Sequence, residues 1–190
     1  VLELLERRGA AAYLGEPVTV REHLLQCAAL AEEAGEAPEL VAACLLHDIG
    51  WLIGTAPGRA DRYGAEQPGH DHAERGAEWL ARRFPPAVSE PVRLHVAAKR
   101  YLVATEPGRL EVLSDESRRT LALQGGPFDP GQVARFESGE HAGAAVRLRR
   151  FDDAAKVPGR HTAPLRHYAA LLDALGATCG VTAGEGATAS

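Results

Sequence analysis

Residues 37–53 read APELVAACLLHDIGWLI, and the reading of this stretch decides the fold. Pro38 suits the first turn of a helix, where a missing N–H has no intrahelical partner to lose. Leu40 to Leu46 form an apolar helical run, which predicts a helix buried in a core. Gly50 follows as the expected stop. A core helix that finishes on His47-Asp48 brings an imidazole and a carboxylate to one point inside the protein. Buried polar groups need partners, so the pair demands an explanation. Trp51, directly after the glycine, demands a second one.

Outward from this stretch the chain reads as helices. In TVREHLLQCAALAEEAG (19–35) Thr19 and Glu22 are placed as a capping box, and Gly35 as a C-terminal stop. HDHAERGAEWLARRF (70–84) is closed by Pro85-Pro86. SEPVRLHVAAKRYLVAT (89–105) is expected to start at Ser89 with Pro91 in its first turn. SDESRRTLALQ (114–124) ends at Gly125-Gly126, and Asp129-Pro130 open DPGQVARFE. HAGAAVRLRRFDDA (141–154), TAPLRHYAALLDALG (162–176) and the opening VLELLERRGA complete the set. No segment shows period-2 alternation flanked by hairpin turns, so the expected class is all-α, without a sheet. Residues 54–69 are rich in Gly and Pro and long for a connection, which fits a functional lid. The expected organisation is a single domain over 1–175 and a disordered tail over 176–190.

Composition narrows the classes. The 190 residues are 45% hydrophobic and 25% charged, with a net charge of −5. One soluble domain with a real core fits these values. The negative charge argues against nucleic acid as an electrostatic partner. No apolar run is long enough for a membrane span, and no signal segment is visible. The start on Val1 rather than Met gives an expectation of N-terminal trimming. Of the three cysteines, Cys27 and Cys44 lie on apolar helical stretches and read as core; a cytoplasmic location fits. The oligomeric state is open, a homo-oligomer included.

The chemistry lies in the histidines. His23, His47, His72 and His95 each fall on a different predicted helix among apolar neighbours, and Asp152 falls on another beside Arg149. A lone histidine on an apolar face is usually a satisfied core residue. The set is another matter. His23, His47-Asp48 and Asp152, in that order, are the minimal pattern of the HD metal-dependent hydrolase superfamily. His72 and His95 raise the ligands to six, enough for two ions. Imidazoles with carboxylates and no thiolate suit iron, manganese or zinc rather than calcium. Asp48 has two oxygens and can bridge. His70 competes with His72, but spacing to Gly76 favours His72. His141, His161 and His167 read as structural or exposed.

Longer motifs carry a narrower likeness. YLGEPVTVREHLLQCA (13–28), LHVAAKRYLV (94–103), LSDESRRTLALQGGPFD (113–129) and KVPG (156–159) before RHY (166–168) resemble the HD-domain mixed-valent diiron oxygenases of organophosphonate metabolism. The resemblance spans about residues 10–175. It implies a helical HD bundle around two iron ions in the Fe(II)/Fe(III) state. O2 is the implied co-substrate. The implied substrate is a small 1-hydroxyalkylphosphonate such as 2-amino-1-hydroxyethylphosphonate, cleaved to phosphate and a carboxylic acid. It further implies that His23, His47, Asp48 and Asp152 hold one iron and that Asp48, His72 and His95 hold the other. Tyr13 would cap this second iron and leave it for catalysis. Glu16 would take the substrate's ammonium, and Lys99, Ser117 and Arg149 the phosphonate.

Trp51 departs from that pattern. Relatives with a His after the glycine use it on the phosphonate. An indole offers one N–H donor and no charge, although its face attracts quaternary ammonium groups. The competing reading is a metal-dependent phosphohydrolase of a small phosphoester. It uses the same six ligands, so the ligand count does not separate the two. Tyr13, Glu16 and the HVAAKRYL block favour the oxygenase.

Overall fold

A computed structural model describes residues 1–13, 15–53 and 71–182. The elements are α1 (Leu2–Arg8), α2 (Val20–Glu33), α3 (Pro38–Leu46), α4 (Ile49–Leu52), α5 (Asp71–Ala81), α6 (Pro86–Thr105), α7 (Asp115–Leu123), α8 (Pro130–Glu137) and α9 (Ala142–Ala154). A 3-10 turn (Leu165–Tyr168) then leads into α10 (Ala169–Thr182). Among the described residues there is no strand, only an isolated antiparallel bridge between Ala12 and Thr19. The all-α expectation is borne out.

Local chemistry sets the boundaries. Thr19 Oγ1 accepts from Glu22 N–H at 3.2 Å while the Glu22 carboxylate accepts from Thr19 N–H at 2.7 Å, so α2 opens on a reciprocal cap. Gly35 follows α2 at φ +71°, a left-handed position suited to glycine. Asp129 and Gln132 cap α8 in the same reciprocal way. Ser114 Oγ accepts the Ser117 N–H and opens α7.

Every residue of α3 from Leu40 to Leu46 is buried. The helix packs against α2, α6, α9 and α10, which explains why it is apolar all round. α5 lies along α6 and against α4, and α6 and α9 run side by side. The candidate site residues therefore come from helices that already share one core.

Three boundaries differ from expectation. Gly50 does not end the helix: the chain turns at His47-Asp48 and then forms α4, with Gly50 inside it. α6 starts at Pro86, before Ser89, because Pro86 takes the first-turn position; Pro91 then sits within the helix. The tail expected from residue 176 begins as helix, since α10 runs to Thr182. The proposed lid 54–69, His70 and the tail beyond Thr182 lie outside the described residues. Among the described residues no helix is long and apolar enough to cross a membrane.

Candidate metal centre

The end of α3 places His47 and Asp48 where α2, α5, α6 and α9 converge. Two groups of three ligands result: His23, His47 and Asp152, and Asp48, His72 and His95. In each the donor atoms lie within 4.8 Å of one another, and all six residues are buried. His23 comes from α2, His72 from α5, His95 from α6 and Asp152 from α9.

Backbone carbonyls aim three of the rings. His47 Nδ1 lies 2.9 Å from Cys44 O, His95 Nδ1 lies 2.6 Å from Val92 O, and His23 Nδ1 lies 2.9 Å from Ala155 O. In the first two the carbonyl belongs to the residue three positions back on the same helix. A proton on Nδ1 leaves each Nε2 as a lone-pair donor turned inward, the arrangement that metal-bound histidines use. His72 differs. Its buried Nδ1 finds no hydrogen-bond partner among the described residues, and the Trp51 indole lies flat on its ring, with centroids 4.5 Å apart and planes at 16°.

Asp48 joins the two groups. Its Oδ1 faces His72 Nε2 at 3.5 Å and His95 Nε2 at 3.9 Å, and its Oδ2 faces His47 Nε2 at 3.6 Å. The Tyr13 hydroxyl donates to Oδ2 at 2.8 Å, and the Tyr13 ring stacks on His23 at 4.3 Å.

The donor set fits cations. His23 Nε2 and His47 Nε2 stand 3.1 Å apart, as do His72 Nε2 and His95 Nε2. At His23 and His47, whose Nδ1 atoms face backbone carbonyls, the two Nε2 lone pairs repel unless a proton or a metal ion lies between or beside them. Asp152 Oδ1 is buried without a well-formed hydrogen bond, 3.3 Å from His23 Nε2 and 3.8 Å from His47 Nε2. A proton on His47 competes with a metal ion for that place. Burial pulls His47 down, but Asp48, a hydrogen bond with Cys27 and then Asp152 outweigh it and push its pKa up to about 10. Burial pushes Asp48 up, yet the surrounding imidazoles hold its carboxyl well below the usual range. Burial leads in the other group, pulling His72 down to about 4 and His95 to about 3, so both stay neutral ligands at ordinary pH. Hard carboxylates with borderline imidazoles and no thiolate suit a first-row divalent or trivalent ion. The set could hold two ions, with His23, His47 and Asp152 on one side, His72 and His95 on the other, and Asp48 between.

A family model, the HD domain, matches residues 20–123, just over half of the chain. The chain belongs to the HD domain family. The HD match takes in the His23, His47-Asp48, His72 and His95 positions; Asp152 lies beyond it. Among curated proteins, the chain is 40% identical to [1-hydroxy-2-(trimethylamino)ethyl]phosphonate dioxygenase (glycine-betaine-forming) of Leisingera caerulea, over 89% of this chain and 85% of that one. It is 39% identical to hydroxymethylphosphonate dioxygenase of Gimesia maris, over 88% of this chain and 82% of that one. It is 32% identical to protein L432 of Acanthamoeba polyphaga mimivirus, over 90% and 78%. The first two are phosphonate dioxygenases, so this HD bundle has oxygenases among its relatives.

Beside the ligands lies a second buried cluster, rich in cations. The Arg149 guanidinium contacts Asp152 Oδ2 at 2.9 Å, bonds Asp153, and donates to Ser117 Oγ at 3.3 Å. Lys99 Nζ donates to Thr120 Oγ1 at 2.8 Å and lies 3.5 Å from Ser117 O. Burial pulls Lys99 down to about 7, and the Arg149 charge adds to that. Lys99, Ser117 and Arg149 thus share one wall of the site. Glu16 lies on the same wall, accepting from Ser114 Oγ at 2.5 Å and Lys156 Nζ at 2.9 Å.

Trp51 is half-buried, neither sealed in the core nor fully exposed. His167 is exposed and pairs with Glu32, His161 is exposed, and His141 precedes α9. Cys27 and Cys44 are fully buried, as expected. The sequence reading missed Thr120, Asp153, Ser114 and Lys156. Thr120 shares the α7 face of Ser117, three residues on, and that spacing could have found it. Lys156 stands four residues after Asp152 but beyond the helix end, where helical spacing no longer applies.

Proposed function

We propose that the chain is a diiron oxygenase that cleaves the C–P bond of a small 1-hydroxyalkylphosphonate to phosphate and a carboxylic acid. The observation that carries this reading is Asp48 standing between His72 and His95 on one side and the His23, His47 and Asp152 group on the other, with a buried cation cluster adjoining them. The resemblance of the chain to named phosphonate dioxygenases at 39–40% identity supports the same class. Two iron ions, in the mixed-valent Fe(II)/Fe(III) state with O2 as co-substrate, would supply the oxidation. The balance is complete without a further reductant: both atoms of O2 end in products, one in the carboxylate and one in the phosphate.

The chain's own residues bind and orient. Lys99, Arg149 and the Ser117 hydroxyl hold the phosphonate oxygens through charge-assisted hydrogen bonds. That anchors C1 toward Asp48 and the histidines, where orientation of one C–H bond supplies part of the rate. Glu16 faces a cationic substituent where the substrate has one. Tyr13 holds Asp48 through its hydroxyl and yields its place when substrate enters.

The test is a panel of hydroxymethyl-, 2-amino-1-hydroxyethyl- and 1-hydroxy-2-(trimethylamino)ethylphosphonate, scored for O2 uptake and phosphate release in step. Phosphate release from a phosphoester with no O2 uptake would replace this reading by the phosphohydrolase one.

Two narrower results are expected. Lys99 is cationic below about pH 7 and neutral above it. An anionic substrate needs the cation, so kcat/KM falls by about tenfold per pH unit on the alkaline side. In Lys99→Arg, where the charge persists, that limb moves to higher pH; a superimposable pH profile would exclude Lys99. Tyr13→Phe removes the 2.8 Å bond to Asp48. The visible and EPR spectra of the resting iron-loaded variant should differ from those of the unmodified protein, and identical spectra would mean that Tyr13 does not act on the centre.

A further inference from the structure

Three cations converge on one serine. Arg149 Nη2 donates to Ser117 Oγ at 3.3 Å, Lys99 Nζ lies 3.5 Å from Ser117 O, and Lys156 Nζ donates to Ser117 Oγ at 3.1 Å. Lys156 follows the end of α9 and belongs to no helix. Its ammonium also bonds Glu16 Oε1 at 2.9 Å and Ser114 Oγ at 3.4 Å. The Lys156 and Glu16 side chains are only 11% and 5% exposed, so this pair is built into the protein. The ammonium lies 5.8 Å from the centre of the Tyr13 ring, whose hydroxyl bonds Asp48. Lys156 therefore borders the metal ligands as well as the cation wall.

We propose that Lys156 is a third cationic contact for the substrate's phosphonate, held ready by Glu16. This rests on the phosphonate reading above and extends it to a residue on the turn after α9. The charge balance motivates it. The Arg149 guanidinium is already shared between Asp152 and Asp153. Its buried Nε makes no hydrogen bond among the described residues. Arg149 can still donate hydrogen bonds to the phosphonate, but Asp152 and Asp153 offset its charge, so the net charge of Lys99 leaves a doubly charged phosphonate under-compensated in a buried site, where an unpaired charge is costly. Lys156 supplies the missing charge. Without ligand Glu16 balances it; with ligand it swings from Glu16 across Ser117 Oγ, which it already touches. A cationic substituent on the substrate then takes Glu16 in its place.

The probe is methylphosphonate, titrated calorimetrically into the metal-loaded full chain near neutral pH. Lys156→Met should weaken binding by about tenfold, the worth of one charge-assisted hydrogen bond. Lys156→Arg should recover part of the loss. Glu16→Gln should bind the probe at least as tightly as the unmodified protein, because it removes the competing carboxylate. A mere structural tether predicts otherwise, since both variants break the same ion pair and would weaken binding alike. That result overturns the proposal, and so does a loss below about fivefold in Lys156→Met. Should Lys156→Met not fold, Lys156→Gln carries the same comparison. Lys99→Met runs alongside. Weakening there with none in the Lys156 variant removes Lys156 alone, whereas weakening in neither also removes the phosphonate site.

Discussion

Asp48→Ala is expected to release both metal ions together and to lower turnover by well over about 100-fold, the loss that removing a mere outer-shell partner can already cause. Asp48 differs from the other five ligands in geometry. Its Oδ1 serves the His72–His95 side at 3.5 and 3.9 Å, and its Oδ2 the His47 side at 3.6 Å. Removing any one histidine leaves a carboxylate on each side. Removing Asp48 leaves His72 and His95 as two neutral imidazoles with no anion, too weak a set for an iron ion. The other side keeps Asp152, but Arg149 already claims that carboxylate at 2.9 Å. The Tyr13 hydroxyl also loses its acceptor. Metal content by plasma mass spectrometry checks the outcome, with circular dichroism to establish that the helices persist. Two ions retained per chain would show that Asp48 does not bridge. One ion retained would assign it to a single side.

The bundle and the cluster of buried His and Asp residues inside it were legible in the sequence for a physical reason. A buried helix must be apolar, so every polar residue on its inner face stands out. His23, His47, His95 and Asp152 are such residues, and all are buried where the six-ligand pattern required. Legibility ended where the helical period ended. Lys156 and Ser114 lie on a turn and at a cap, and a three-dimensional crossing brings them to Glu16 across 140 and 98 positions of chain. No spacing rule reaches that far. Trp51, expected beside the substrate, also lies flat on the His72 ring, a contact that no spacing rule announces. Gly50 was misjudged for the opposite reason. Glycine after a helix usually marks a stop, but here it marks a place where two backbones meet.

Gly50→Ala is therefore expected to remove one ion and keep the other. A Cβ built on Gly50 would stand 1.8 Å from His72 O, 2.7 Å from His72 C and 3.0 Å from Gly76 N. All three are backbone atoms, so no side chain can rotate aside. Alanine is the better helix former by about 1 kcal/mol. That gain is too small: overpacking a tight contact costs about 1–3 kcal/mol, and a clash on backbone lies at the upper end. Relief requires α5 to move away from α4 by more than an ångström, since real Cβ contacts essentially never fall below 3.0 Å. Such a shift carries His72 with it, and a ligand tolerates only about 0.5 Å. His23, His47 and Asp152 lie on α2, at the end of α3 and on α9, away from this contact. The expected protein is folded, melts several degrees lower, holds one ion instead of two, and turns over about 100-fold more slowly. Gly76→Ala is the graded comparison. Its Cβ would meet Gly50 N at 3.2 Å and Ile49 Cγ2 at 3.5 Å, a contact the helices can absorb with a smaller shift. Two ions and normal turnover in Gly50→Ala would mean that α5 need not lie this close for His72 to reach the centre.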